Sequence, residues 1–317
     1  MPVEISVIAP VLNEEENVYE LYDRLTTVLK NIGCSYEIIL IDDGSTDRTL
    51  FAIEKFASED PCIKYISFTR NFGHQVALSA GLENCKGKFI VLIDGDLQDP
   101  PEVIESLLNT IKEGYNIVYA KRTDRKGETF LKKATAKFFY RLLNKITSIN
   151  IPIDTGDFRI MDRKVCTELL RMKEHNKFLR GQVAWLGFKE SFIEYNREKR
   201  KSGNTNFSYN SMFKFALDGI TGFSNFPLKF ASISGIAVSL FAFLFIVYVV
   251  LAKLAWGQTI SGWASLMVTI LFLGGIQLLC VGIIGEYISR INDSVRKRQL
   301  YIIDKTNIVN SGKAIVI

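Results

Sequence analysis

The 317-residue sequence is poor in soft-metal ligands and cross-linking residues: it has two histidines, His74 and His175, and five cysteines, Cys34, Cys62, Cys85, Cys166 and Cys280. No two cysteines form a C-x-x-C pair, and two histidines do not make up the missing ligands, which argues against a structural zinc site. An odd, scattered set of thiols reads as reduced and cytosolic. No G-x-G-x-x-G follows the first apolar run and no G-x-x-x-x-G-K-S/T occurs, which argues against a dinucleotide enzyme and a P-loop ATPase. Met1–Pro10 lacks a basic n-region and a long apolar h-region, so the N-terminal domain is expected to stay on the side where it is made. The basic residues give a net charge of +5 but no long run with interleaved aromatics. Phosphate or anionic lipid is therefore a better expected partner than nucleic acid.

What is present divides the chain into two regimes. In residues 1–120 short apolar runs alternate with amphipathic stretches. Ile5–Leu12, Glu37–Ile41, Ile63–Phe68, Phe89–Ile93 and Asn116–Ala120 read as strands, and Glu14–Asn31 has helical spacing. Continuous apolar strands separated by helices predict a doubly wound α/β domain with a parallel sheet covered on both faces. Ligands of such sheets bind at the carboxyl ends of the strands.

Polar clusters fall at those ends. Pro10–Glu16, with Asn13 and Glu14, follows the first run. Asp42-Asp43-Gly44-Ser45-Thr46-Asp47 follows the second, and Arg70-Asn71-Phe72-Gly73 the third. Asp42 and Asp43 suit hydrogen bonds from a base imide or ribose hydroxyls, while Asp47 and its neighbours suit the capping of the next helix. Asp94-Gly95-Asp96 follows the fourth run, with Gln98 close behind. Two carboxylates one residue apart can share a hard cation such as Mg²⁺ or Mn²⁺ with a substrate phosphate. Asp157, flanked by turn signals, is placed to face that site across the sheet edge. Arg197 and Arg200 stand just before the membrane segment, where a guanidinium fork would meet a lipid phosphate.

In Phe130–Thr147, Lys133, Lys137, Arg141 and Lys145 form a basic stripe beside an apolar one of Phe130, Phe138, Leu142 and Ile146, the pattern of a helix in a membrane interface. Ser211–Pro227 reads as a second amphipathic segment, with Pro227 at the break into the first span. Phe230–Ala252 and Ala264–Ile284 carry no charge, and each is long enough to cross a bilayer core, which takes about 20 residues. Lys253–Trp263 is short, so the two spans form a hairpin. Arginines and lysines flank its outer ends while the connection holds only Lys253, so both termini are expected in the cytosol. Ala231, Gly235 and Ser239 give a small-xxx-small row that permits close helix contact.

Together these residues resemble the inverting glycosyltransferase family 2, and more closely its polyisoprenyl-phosphate branch, the dolichol-phosphate-mannose-synthase-like enzymes. The resemblance rests on Val7–Asn17, on Ile41–Asp47, on Asp94-Gly95-Asp96-Leu97-Gln98-Asp99-Pro100-Pro101, on Thr155-Gly156-Asp157-Phe158-Arg159 and on the basic loop Arg197–Asn206. In that loop Thr205-Asn206 stands where the family often has Ser-Lys. The resemblance implies a Rossmann-like GT-A catalytic domain over residues 1–210, with 130–147 as an interface helix. A juxtamembrane segment over 211–229, two transmembrane helices over 230–288 and a cytosolic tail over 289–317 would follow.

It implies Asp96 and Gln98 on the metal, with Asp94 beside them, and Asp94, Asp96 and Asp157 as the catalytic carboxylates. Pro10, Asn13, Glu14, Asp42, Asp43, Arg70 and Asp94 would bind the nucleotide, and Arg122, Lys133, Arg197 and Arg200 the acceptor phosphate. The implied reaction is inverting transfer of a hexose from a nucleotide sugar to a polyisoprenyl phosphate at the cytosolic face, with glucose from UDP-glucose the expected donor and mannose from GDP-mannose the alternative. A bacterial inner-membrane enzyme, oligomeric through its spans, is the expected setting. No Gln-Gln-x-Arg-Trp occurs, which argues against a polysaccharide-exporting synthase. The Asp94/Asp96 pair favours chemistry over a lipid-linked-sugar translocator.

Overall fold

A computed structural model describes residues 2–123, 152, 155–198, 222, 224–256 and 262–308. The first half alternates β1 (Ile5–Val11), α1 (Val18–Ile32), β2 (Tyr36–Asp42), α2 (Thr49–Glu59), β3 (Ile63–Phe68), α3 (His74–Asn84), β4 (Phe89–Leu92), α4 (Val103–Lys112) and β5 (Ile117–Arg122). It continues with β6 (Thr155–Asp162), α5 (Arg163–Arg171), α6 (Leu179–Leu186), β7 (Glu190–Tyr195), the long helices α7 (Phe226–Trp256) and α8 (Trp263–Arg296), and β8 (Ile303–Thr306). The segment Phe130–Thr147, the residues Lys133 and Arg200, and most of Ser211–Pro227 lie outside the described residues.

The eight strands among the described residues join one sheet in the order β7-β5-β6-β4-β1-β2-β3-β8. Its faces differ by pleat. Ile5, Val7, Ala9, Ile38 and Leu40 pack under α1, α2 and α4, while Ile8, Ile39, Ile41, Ile66 and Ile90 meet α3, α5 and α6. Burial on both faces explains why these strands are apolar throughout rather than alternating.

The sheet is not wholly parallel, which corrects the sequence expectation. β6 runs antiparallel between β4 and β5, and β8 runs antiparallel against β3. The parallel strands deliver their carboxyl ends to one edge, and β6, running the other way, delivers its first residues there. The register Leu92↔Arg159 accordingly brings Asp157 alongside the end of β4.

The tail after the second long helix is also not a free extension. Ile303 pairs with Phe68, Tyr301 stacks on Phe68 at 4.9 Å, and the Tyr301 hydroxyl donates to Glu83 Oε2 at 2.7 Å. Asn307 Oδ1 accepts from the Tyr65 amide at 2.9 Å. The chain therefore re-enters the sheet beside the carboxyl end of β3, at the same end of the strands as, and on the opposite side of the sheet from, the point where it leaves β7 toward Glu198.

Helices α7 and α8 are longer than the uncharged runs and contain stretches long and apolar enough to cross a membrane, Phe226–Phe245 and Ser265–Arg296. Their apolar side chains face outward, with Ile236 at 71% and Leu278 at 74% exposure, a surface of the kind that marks a membrane or protein contact. Pro227 sits in the first turn of α7, where its missing N–H costs nothing. The Tyr287 hydroxyl donates to the Ser224 carbonyl at 2.7 Å and ties the two helices at their base.

Candidate active site

Three loops at the sheet edge lock together through their own polar groups. Asn13 adopts φ 54°. Its side-chain oxygen accepts from the Thr46 amide at 2.8 Å, and its own amide donates to Ser45 Oγ at 3.0 Å. Asp42, 1% exposed, accepts from the Ser45 amide at 3.0 Å and the Ser67 hydroxyl at 2.8 Å. Asp43, also buried, accepts from the amides of Phe72 at 2.7 Å and Gly73 at 3.0 Å, which seats the start of α3. Burial pushes the Asp43 carboxyl up against the pull of those amides. Gly44 is required twice over: its φ is +75°, and a Cβ there would stand 2.4 Å from the Arg70 carbonyl carbon. Arg70 is exposed, with its guanidinium 4.1 Å over the Phe72 ring. Glu14 is buried, and its amide donates to Thr49 Oγ1 at 2.9 Å. The expected nucleotide residues are thus neighbours, and both aspartates also shape the loops.

The fourth loop sits directly against the first, because a Cβ on Gly95 would lie 2.8 Å from the Pro10 carbonyl oxygen. Here Asp94 meets a residue that sequence reading passed over. His74, in the first turn of α3, places Nε2 3.0 Å from Asp94 Oδ1 and 4.0 Å from Asp157 Oδ2. Burial pushes the Asp94 carboxyl up to about 6, with Asp99, Asp157 and Asp96 adding to it against His74.

Asp157 goes the opposite way. Burial opposes its charge, but Arg180, with Arg159 and His74 behind it, holds the carboxyl far below the usual range. Arg180 grips it through Nε and Nη2, both at 2.9 Å. Arg159 Nη2 donates at 2.8 Å and Gln75 Nε2 at 3.3 Å. These donors fill the acceptor capacity of a carboxylate.

Ligand atoms of His74, Asp94 and Asp157 lie within 4.8 Å of one another, a grouping able to hold a metal ion. Within it Asp157 is already neutralised by two guanidiniums, so the oxygens with capacity to spare belong to Asp94 and to nearby Asp96. Asp96 Oδ1 accepts the Gln98 amide at 3.1 Å, and its Oδ2 is 4.0 Å from Arg197 Nη2. An oxygen-rich set of this kind fits Mg²⁺ or Mn²⁺.

Arg122 and Arg197 converge on Asp99, which is fully buried. Arg122 Nη2 is 3.7 Å and Arg197 Nε 3.4 Å from Asp99 Oδ1, which also accepts the Tyr195 hydroxyl. The Arg122 Nε donates to the Tyr195 oxygen at 3.3 Å. Burial and the Asp99 carboxylate push the Tyr195 hydroxyl up, so it stays a donor. Gly156 is small for Arg122: a Cβ there would be 2.7 Å from Nη2.

The segment after β7 is fastened by Glu198. Its amide donates to the Gln98 carbonyl at 2.9 Å, and its carboxylate accepts from Arg24 at 3.0 and 3.2 Å. Arg24, on α1, binds Glu102 with the same guanidinium.

Sequence reading missed His74, Gln75, Asp99, Arg180 and Tyr195 as parts of this edge. His74 immediately follows the polar cluster that ends at Gly73, and Asp99 lies inside the Asp94–Pro101 motif. Arg180 and Tyr195 carry no local signal, because only tertiary contacts bring them to Asp157 and Asp99.

The family model described as glycosyl transferase family 2 matches residues 6–170. An uncharacterized glycosyltransferase of Bacillus subtilis, YkcC, is 50% identical over 96% of this chain and 94% of its own. A bactoprenol glucosyl transferase of Shigella phage SfII is 40% identical over 96% of this chain and 99% of its own. Among solved structures, glucosyl-3-phosphoglycerate synthase from Mycobacterium tuberculosis, in complex with Mn²⁺, UDP and phosphoglyceric acid, aligns over 69% of this chain and 76% of that one. It shares 20% identity, with a TM-score of 0.46.

Proposed function

The chain belongs to glycosyl transferase family 2, and we propose that it transfers glucose from UDP-glucose to a polyprenyl phosphate, inverting the anomeric centre, at the cytosolic face of a bacterial inner membrane. The phage relative named as a bactoprenol glucosyl transferase supports the lipid acceptor and the sugar.

The observation that carries the reading is the position of the site relative to the long helices. The chain leaves β7 through Arg197 and Glu198, and it re-enters at Tyr301, both at the sheet edge that holds Asp94, Asp96 and Asp157. Residues 297–302 can span at most about 20 Å from the end of α8 to β8. Helix α8 has 34 residues and is about 50 Å long, so it outlasts a bilayer core of roughly 30 Å. Its surplus carries Glu286, Arg290, Asp293 and Arg296. An acceptor whose phosphate stays in the headgroup layer needs this arrangement, with catalytic loops held low over the membrane. The basic stripe of Phe130–Thr147, with Lys133, would add to the contact.

The residues divide the work. Asn13, Glu14, Asp42, Asp43 and Arg70 line the end that would take the nucleotide. Asp94 and Asp96, with Gln98 beside them, would hold Mg²⁺ or Mn²⁺. A divalent ion bound there neutralises the charge that builds on the departing nucleoside diphosphate. Arg122, Arg197 and Arg200 would hold the acceptor phosphate and offset repulsion between two anionic reactants. A phosphate monoester is already ionised at neutral pH and needs no strong base. Asp157, with its oxygens occupied and its pKa depressed, then serves by positioning Arg180, Arg159 and Gln75 rather than by taking a proton. The spans would also join copies of the chain through the Ala231, Gly235 and Ser239 row, and native mass measurement in mild detergent tests this.

A panel of labelled nucleotide sugars incubated with membranes carrying the chain, followed by organic extraction, tests the donor. UDP-glucose alone should give extractable label. Label from GDP-mannose alone would replace the donor.

A further inference from the structure

Two of the buried carboxylates at the sheet edge are spent on structure, and a third is not. Asp157 is saturated by Arg180, Arg159 and Gln75, and Asp43 by backbone amides. Arg180 lies flat against Asp157 in a two-point grip, so that guanidinium is consumed. Asp99 is as deeply enclosed, yet all its described contacts fall on one oxygen, and Oδ2 has no hydrogen-bond partner among the described residues. Its two arginines stand off at 3.4 and 3.7 Å in single-point contacts, and with Arg122 Nε on Tyr195 and Arg197 Nη2 4.0 Å from Asp96 neither fork is closed in a two-point carboxylate grip.

The three partners come from separate elements: Arg122 from the end of β5, Tyr195 from the end of β7, and Arg197 from the segment beyond it. Two guanidiniums this close repel, and one carboxylate between them makes the pairing tolerable while cancelling only one charge. Asp96, 4.0 Å from Arg197, offsets part of the second charge from a distance, and an anion between the two forks completes the balance. The Tyr195 hydroxyl donates to Asp99 and accepts from Arg122 Nε, which fixes the tilt of the Arg122 fork. Gly156 leaves the space that fork occupies.

We propose that Asp99 is a positioning residue that holds Arg122 and Arg197 together as a paired receptor for a phosphate group. The phosphate comes either from the acceptor monoester or from the donor diphosphate, and its assignment to the acceptor rests on the proposed function.

The test uses the full chain in detergent with the variants Asp99→Asn and Tyr195→Phe. Steady-state constants are measured for polyprenyl phosphate and for UDP-glucose, alongside thermal unfolding. Misplacing one charged contact to phosphate shifts binding by about tenfold or more. The expected result is a rise of that size in KM for one phosphate-bearing substrate in Asp99→Asn, with the other KM within about twofold. Tyr195→Phe should give a smaller shift in the same substrate. A rise in the acceptor KM places the lipid phosphate on the pair, and a rise in the donor KM places the diphosphate there. Unchanged constants for both substrates in both variants overturn the proposal, whatever happens to the melting temperature. If Asp99→Asn does not fold, Tyr195→Phe and Gly156→Ala decide by the same criterion. If the wild type transfers no sugar to a polyprenyl phosphate, the proposed function fails. The pairing is then judged by calorimetric binding of UDP and of a short prenyl phosphate to the same variants.

Discussion

Arg24 and Glu198, 174 residues apart in the chain, are joined by paired hydrogen bonds of 3.0 and 3.2 Å, and the same guanidinium also holds Glu102 at the start of α4. Glu198 follows Arg197 directly, so this contact decides where the Arg197 fork sits over Asp96 and Asp99. It is a partly exposed network, and its stabilising effect is expected to be small, about 1 kcal/mol or less per pair. Arg24→Ala should therefore leave the melting temperature nearly unchanged and still slow transfer by about tenfold. Arg24→Lys should recover only part of the rate, because a point charge cannot hold two carboxylates as a fork does. Parallel melting curves and initial rates check this, and normal rates in Arg24→Ala would remove the positioning role.

Asp157→Asn should be far more damaging to stability. It leaves Arg159, which is fully buried, and Arg180 facing a neutral amide. Removing one partner of a buried ion pair costs about 3–5 kcal/mol. The sign of the pH effect follows from the depressed Asp157 carboxyl. Its contribution is fully present above the unfolded carboxylate pKa of about 3.9 and is lost as pH falls through the lower folded value. Unfolding of wild type and variant compared between neutral pH and strong acid should show a gap that is constant at neutral pH and closes only in acid. A gap that widened on acidification would contradict the assignment.

Asp96→Asn should abolish metal-dependent transfer and leave the fold intact, since Asp96 is partly exposed and its ion pair with Arg197 is loose at 4.0 Å. Mn²⁺ binding followed by electron paramagnetic resonance should weaken in Asp96→Asn and in Asp94→Asn. His74→Ala tests whether the imidazole joins the metal set or only orients Asp94. Loss of Mn²⁺ affinity comparable to that of Asp94→Asn indicates the first, and retained affinity the second.

The returning tail gives a fourth expectation. Tyr301→Ala removes a ring that is 3% exposed and stacked on Phe68, and it should cost about 3–5 kcal/mol, as other large aromatic truncations in cores do. Tyr301→Phe keeps the ring and loses the hydroxyl's hydrogen bonds, that to the Glu83 carboxylate among them, about 1.5–3 kcal/mol. Chemical unfolding of the two variants distinguishes the ring from the hydroxyl. Equal losses would mean that packing on β3 contributes nothing.

Much of the fold was readable because β1 to β5 lie between two helical layers and are apolar on both sides. The strand β6 was hidden by its function: Asp157, Arg159 and Asp162 interrupt the apolar run of a strand that is nonetheless buried. β8, with the sequence Ile-Asp-Lys-Thr, has no strand signal, and only its pairing with β3 makes it one. At the site, the Asp94/Asp96 pair and the cluster at Asp42 were visible as polar breaks after apolar strands. His74 was hidden because one histidine opening a helix looks like any other, and Arg180 because nothing near it in sequence marks it. The second role of Asp42 and Asp43, fastening the loops, needed the contacts themselves.

The central claim is that the acceptor is a lipid phosphate, and one assay addresses it directly. Purified full-length chain in detergent micelles receives labelled UDP-glucose and Mn²⁺ together with either polyprenyl phosphate or the same polyprenol without phosphate. Organic extraction then separates lipid product from donor. The account predicts extractable label with the phosphate, none with the alcohol, and none when Mn²⁺ is chelated. Label carried equally by the alcohol, or no lipid label from any nucleotide sugar, would contradict it.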